Sequence, residues 1–175
     1  MKSVLDLFVE KVKTFPNKIA VVENGCEYSY RELYNFVIKL SSKIKKLHNE
    51  PKVFILLNSG INAYATMFAS MHAGGYYCPA NIANPQEKQK AIIKIFNPNI
   101  IVSTKKNIES ISFDESFTFI DIEDIQKERT GQNISEIYEE HKIAYVIFFK
   151  EVALGLYVIL TFFSGKLTIE LFIPT

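Results

Sequence analysis

Tryptophan is absent from this chain of 175 residues, and cysteine occurs only twice. Cys26 and Cys78 stand far apart in the sequence, so buried free thiols in a reducing compartment are expected rather than a disulfide. An excess of either charge is also missing. Lys+Arg number 20 against 19 Asp+Glu, the net charge is +1, and no Lys/Arg run exceeds two residues. Nothing in that balance calls for a nucleic-acid or polyanion partner. The opening MKSVLDLFVEKVK is interrupted by Asp6, Glu10 and lysines, so it lacks the unbroken apolar core of a signal peptide. A cytoplasmic location is therefore expected. What is present is ordinary globular material, 48% hydrophobic and 22% charged, enough for one domain with a core or for part of a larger one.

The pattern along the chain predicts alternating helices and strands. Ser3 can cap a helix to about Thr14 with Leu5, Phe8, Val9 and Val12 on one face. KIAVVE (18–23), Asn24-Gly25 and CEYSY read as a hairpin with a two-residue turn. Ser29-Tyr30-Arg31-Glu32 has the form of a capping box and opens a helix with Leu33, Val37, Leu40, Ile44 and Leu47 inward. KVFILL (52–57) is apolar throughout, as a strand covered on both faces must be. A second cycle follows: a helix stripe of Ile61, Tyr64, Ala65, Phe68 and Met71, a stop at Gly74-Gly75, and a short strand YYCP. Asn84-Pro85-Gln86-Glu87 begins another helix, with Pro85 at its first position and Ile92, Ile93 and Phe96 inward; Asn97-Pro98 ends it. NIIVS, FTFID and IAYVIF are further strands, and the polar residues 123–142 read as surface loop. The sum is an α/β fold, a layered and largely parallel sheet flanked by helices, with no linker in the first 149 residues.

Chemistry is harder to find. His48, His72 and His141 lie in different elements without Cys, Asp or Glu at ligand spacing, so no metal site is expected. Asp114, Glu115, Asp121, Glu123 and Asp124 are most simply solvated loop charges. Ser164-Gly165-Lys166 is like the end of a Walker loop but lacks its upstream glycine, and Leu167 stands where Ser or Thr belongs. Gly74-Gly75 could approach a ligand, yet a helix stop explains it. The residues by themselves give a fold class and no catalytic, cofactor-binding or metal site.

Three stretches, in order, resemble the adenylate-forming (AMP-dependent) synthetases. LFVEKVKTFPNKIAVVENGCEYSYRELYNFV (7–37) is similar to their N-terminal helix, hairpin and following helix start. MHAGGYYCPANIANP (71–85) is similar to a core motif of the form LKAGGAYVPLDPxxP at Ala73, Gly74, Gly75, Tyr77, Pro79 and Pro85, but has Ala80-Asn81 in place of Leu-Asp. EKQKAIIKIFNPNIIVS is similar to the helix and strand that come next. The adenylation domains of non-ribosomal peptide synthetases and the D-alanyl carrier ligases are the nearer members. The resemblance implies an N-terminal subdomain of that fold. It implies a parent activity in which ATP and Mg serve to adenylate a carboxylate or amino acid, with transfer to a carrier-protein or CoA thiol. The matched motifs are structural, and the family's ribose-binding Asp, substrate pocket and catalytic Lys fall outside them.

IAYVIF then corresponds to the strand before the family's phosphate loop, commonly TSGSTGxPKG. That loop needs glycines whose N–H groups converge on phosphate oxygens, with hydroxyl donors and a lysine. FKEVALG offers Lys150, the repelling Glu151 and bulky apolar residues. Read from the third base of each codon, Glu-Val-Ala-Leu-Gly (GAR-GTN-GCN-CTN-GGN) can spell Gly-Ser-Thr-Gly at the family's offset. The expectation is a frame shift near Phe148–Lys150, with residues 1–149 the N-terminal portion of an AMP-binding domain and 150–175 an apolar out-of-frame tail. Such a chain is expected to bind no ATP well, to be inactive alone, and to self-associate through its tail. Two other readings of the tail are weighed beside it. LYVILTFF and KLTIELFIP form ordinary strands, or 143–163 spans a membrane, which Lys150 and Glu151 disfavour at roughly 2.5–3.5 kcal/mol each. The alternative function is a stand-alone α/β interaction or ligand-binding module.

Overall fold

The computed structural model describes residues 3–109, 117–127, 143–151, 156–163 and 166–172. Helix α1 (Val4–Thr14) starts at a capping box in which the Ser3 hydroxyl accepts from the Asp6 N–H at 3.1 Å and the Asp6 carboxylate accepts from the Ser3 N–H at 2.8 Å. The hairpin of β1 (Ile19–Glu23) and β2 (Cys26–Ser29) turns through Asn24 and Gly25, with φ of 50° and 80°. Both lie in the left-handed region that this tight turn demands and that Asn and Gly tolerate best. Helix α2 (Tyr30–Leu47) opens on a second capping box, Ser29 with Glu32. Local signals thus set the starts of the first two helices.

The remaining described elements are β3 (Lys52–Leu56), α3 (Ile61–His72), β4 (Tyr76–Ala80), α4 (Gln86–Phe96), β5 (Ile100–Ser103), α5 (Lys105–Glu109), β6 (Thr118–Asp121), α6 (Ile122–Lys127), β7 (Ile143–Glu151), β8 (Leu156–Phe163) and β9 (Lys166–Phe172). The main sheet has the order β6-β5-β3-β4-β7-β8-β9. From β6 to β7 neighbouring strands run parallel, whereas β8 and β9 are antiparallel additions.

Strand β3 lies between β5 and β4 and is covered on both faces. Val53 and Ile55, with Leu57 just beyond, join a cluster containing Leu5, Phe8, Val37, Leu40, Ala65, Ile122 and Ile125, so α1, α2, α3 and α6 occupy the first face. Phe54 and Leu56 join Ile92, Ile93 and Phe96 of α4, with Ile108 of α5 at the margin, on the second face. The period-two alternation of a strand forces this division, and it explains why the stretch contains no polar residue after Lys52.

Several expectations need correction. Leu47 is 41% exposed and Tyr64 is 40% exposed, so neither faces inward. In α3 the deeply buried positions are small: Ala65, Thr66, Ala69 and Ser70. Wedged against both α2 and the sheet, that helix has little room for large side chains. The Thr66 hydroxyl donates to the Asn62 carbonyl and the Ser70 hydroxyl to the Thr66 carbonyl, both at 2.7 Å, which satisfies them without an external partner. Pro85 is the N-cap of α4 rather than its first residue. The polar stretch after Asp121 begins with a helix, α6, whose Ile122 and Ile125 are buried; residues 128–142 lie outside the described residues. Residues 143–163 include two paired strands rather than a membrane helix, and among the described residues no helix is long and apolar enough to cross a membrane.

The glycine pair after α3 has two distinct jobs. Gly74 has φ of 91° and turns the chain out of the helix. Gly75 donates to the Ser70 carbonyl at 2.9 Å, and Tyr76 donates to the Pro51 carbonyl at 3.0 Å, so the chain enters β4 pressed against the start of β3. A Cβ at Gly75 would overlap the Pro51 carbonyl. Gly75→Ala is accordingly expected to cost about 1–3 kcal/mol by forcing β3 and β4 apart, read as a lowered urea midpoint with unchanged slope.

Candidate functional site

Ligands of open α/β sheets lie beyond the carboxyl ends of the strands, where neighbouring strands send their connections to opposite faces. Here β3 leads to α3 on the first face, while both of its neighbours, β4 and β5, lead to α4 and α5 on the second. The polar groups there are turned on one another. The Ser103 hydroxyl donates to the Leu56 carbonyl at 2.5 Å, and the Asn107 amide donates to the Ser103 oxygen at 3.3 Å. This network clamps two strand ends.

The nearest helix N-terminus is also filled. Gly60, the N-cap of α3, offers no side-chain cap, and the Glu23 carboxylate supplies one from the end of β1 by accepting the Ile61 N–H at 3.1 Å. A Cβ on Gly60 would overlap that carboxylate, so this glycine makes room for it. A negative group at the positive end of a helix is favourable, and it takes the place where a phosphate could sit. A phosphate placed there would have to displace a like charge.

At the carboxyl end of β4 the same economy holds. Asn81 Oδ1 accepts the Ala83 N–H at 2.9 Å, closing a small side-chain turn where the sequence departs from the Leu-Asp pattern. Buried Gln89 of α4 reaches back to this loop, donating to the Ile82 carbonyl at 3.0 Å and the Asn84 carbonyl at 2.9 Å. Its Oε1 has no partner among the described residues. Sequence reading missed both Glu23 and Gln89. Neither has a local signature, because the partners that explain them are loop atoms or residues 38 positions away.

The other candidates are scattered. Ala73 caps α3, Tyr77 and Pro79 lie in β4, and Pro85 caps α4, so the motif builds a helix–strand–helix junction. Asp121 Oδ1 accepts the Glu123 N–H at 3.0 Å, which starts α6, and Asp124 lies 3.4 Å from Lys127; these are helix-end interactions rather than loop charges. Lys150 and Glu151 end β7, while Lys166 and Leu167 belong to β9. Asp114, Glu115, His141, Ser164 and Gly165 lie outside the described residues. No cluster of three His, Cys, Asp or Glu occurs among the described residues.

Both cysteines are free, but only Cys78 is buried, and burial pushes its thiol far above the ordinary range. Cys26 is exposed on the short hairpin, correcting the expectation of two buried thiols. His48 caps α2 and His72 ends α3. Burial, aided by the Lys45 charge, lowers the pKa of His72.

A sheet of this order, with its helix–strand–helix junction, defines a layered α/β protein whose central strands run parallel between helices. Residues 8–148 match the AMP-binding enzyme family, and the chain belongs to it. Tyrocidine synthase 3 of Brevibacillus parabrevis is 26% identical over 149 residues, which is 84% of this chain but 2% of that protein. Gramicidin S synthase 2 of Aneurinibacillus migulanus is 27% identical over 145 residues, 82% of this chain and 3% of its own length. The chain thus spans a small fraction of these relatives. Among solved structures, the N-terminal subdomain of Klebsiella oxytoca NpsA superposes with a TM-score of 0.73 at 20% identity, covering 91% of this chain and 42% of that one. The AMPPNP-bound peptide synthetase FmoA3 gives 0.75 at 17% identity, covering 90% and 17%. At these identities the likeness is one of fold: the N-terminal subdomain of peptide-synthetase adenylation domains.

The His72 environment has a pH consequence. Its folded pKa lies below the ordinary value of 6.5, so the unfolded chain takes up a proton more readily. Its contribution to stability is present at neutral pH and is lost as pH falls below that value. Urea unfolding at about pH 7.5 and about pH 5.5 is expected to show the loss, and His72→Gln to reduce it.

Proposed function

We propose that residues 1–149 are the N-terminal portion of an ATP-dependent ligase of the amino-acid-activating kind, and that this chain by itself does not catalyse adenylation. In the intact family arrangement ATP and Mg would supply the activating chemistry, and the acyl group would pass to a carrier-protein or CoA thiol. The observation that carries the reading is the family match over residues 8–148, followed directly by FKEVALG where a glycine- and hydroxyl-rich loop is required. That segment has one glycine and no hydroxyl side chain, unlike loops whose N–H groups converge on a triphosphate. The Glu23 carboxylate at the start of α3 supports the same view. Carboxylate-dependent ATP–pyrophosphate exchange on the purified chain is expected to stay at background. Exchange above background with any amino acid overturns the reading.

Residues 150–175 form the second part of the proposal: an out-of-frame tail. The codon correspondence with Gly-Ser-Thr-Gly supports it. The nucleotide sequence from codon 145 through several hundred downstream bases is expected to contain a frame encoding the rest of a synthetase, and a downstream region without such a frame refutes it.

The competing function, a stand-alone α/β interaction module, draws support from one observation: β8 and β9 continue the sheet. The two readings differ in solution behaviour. Strand β9 ends the sheet among the described residues, and an open edge presents backbone donors and acceptors to another chain. The fragment reading therefore expects concentration-dependent association in sedimentation velocity, whereas the module reading expects a monomer.

A further inference from the structure

We draw no further inference here: the strongest candidate, the shallow cleft of about 350 Å³ beside α2 and α6 lined in part by Tyr28, Glu32, Phe36, Ile61 and Gln126, has Glu32 tied to Ser29 and Gln126 tied to Asn62, and nothing in the structure shows what covers it.

Discussion

Burial of β3 on both faces is the constraint on which the described fold depends. Val53, Phe54, Ile55 and Leu56 are each essentially inaccessible to water, and each such side chain contributes roughly 1.5–3 kcal/mol relative to exposure. A strand buried in this way needs helices above and below it, and needs strands on both edges to pair its N–H and C=O groups. Strand β4 supplies one edge and β5 the other, while α3 and α4, the connections that join them, supply part of each cover. The Asn99 side chain ties the start of β5 to this strand by accepting the Lys52 N–H at 2.8 Å and donating to the Glu50 carbonyl at 3.1 Å. The hairpin and α1 follow as further cover, with Phe8 stacked on Phe68 at 4.1 Å between centroids.

The same arrangement separates scaffold from chemistry. Polar side chains at the carboxyl ends of the strands hold the scaffold together: Ser103 to Leu56, Glu23 to the start of α3, Gln89 to the loop after β4. Each of these interactions would be weakened by a ligand that competed for it. The conspicuous motif residues, from Ala73 to Pro85, likewise set a helix stop, a close strand entry and a helix start.

Legibility followed the range of the interaction. The Ser3 cap, the capping box at Ser29, the Asn24-Gly25 turn and the apolar run of β3 were readable because cause and effect lie within a few residues. Helix α6 was not, since Ile122 and Ile125 are its only buried residues in a polar stretch. A periodic stripe could suggest that Tyr64 and Leu47 face inward, but which side of a helix meets water depends on neighbours far away in sequence. The same limit hid Glu23 as a helix cap and exposed Cys26, whose short hairpin offers it no cover.

Strand β7, whose residues 143–148 fall within the family match, carries β8 and β9 at one edge of the sheet. Pro79 has no N–H to give, and the ladder between β4 and β7 comprises one described pair, Tyr77 with Tyr145. By contrast β7, β8 and β9 pair extensively with each other. The layer around β3, buried on both faces, is therefore the cooperative body of the protein, and β8 and β9 join it only through β7. Native-state hydrogen exchange tests this most directly. The amides of Phe54–Leu56 and Ile101–Val102 should be the slowest, opening only with global unfolding, while those of β8 and β9 exchange earlier. Equal protection of β8, β9 and β3, lost together in one transition, would contradict it.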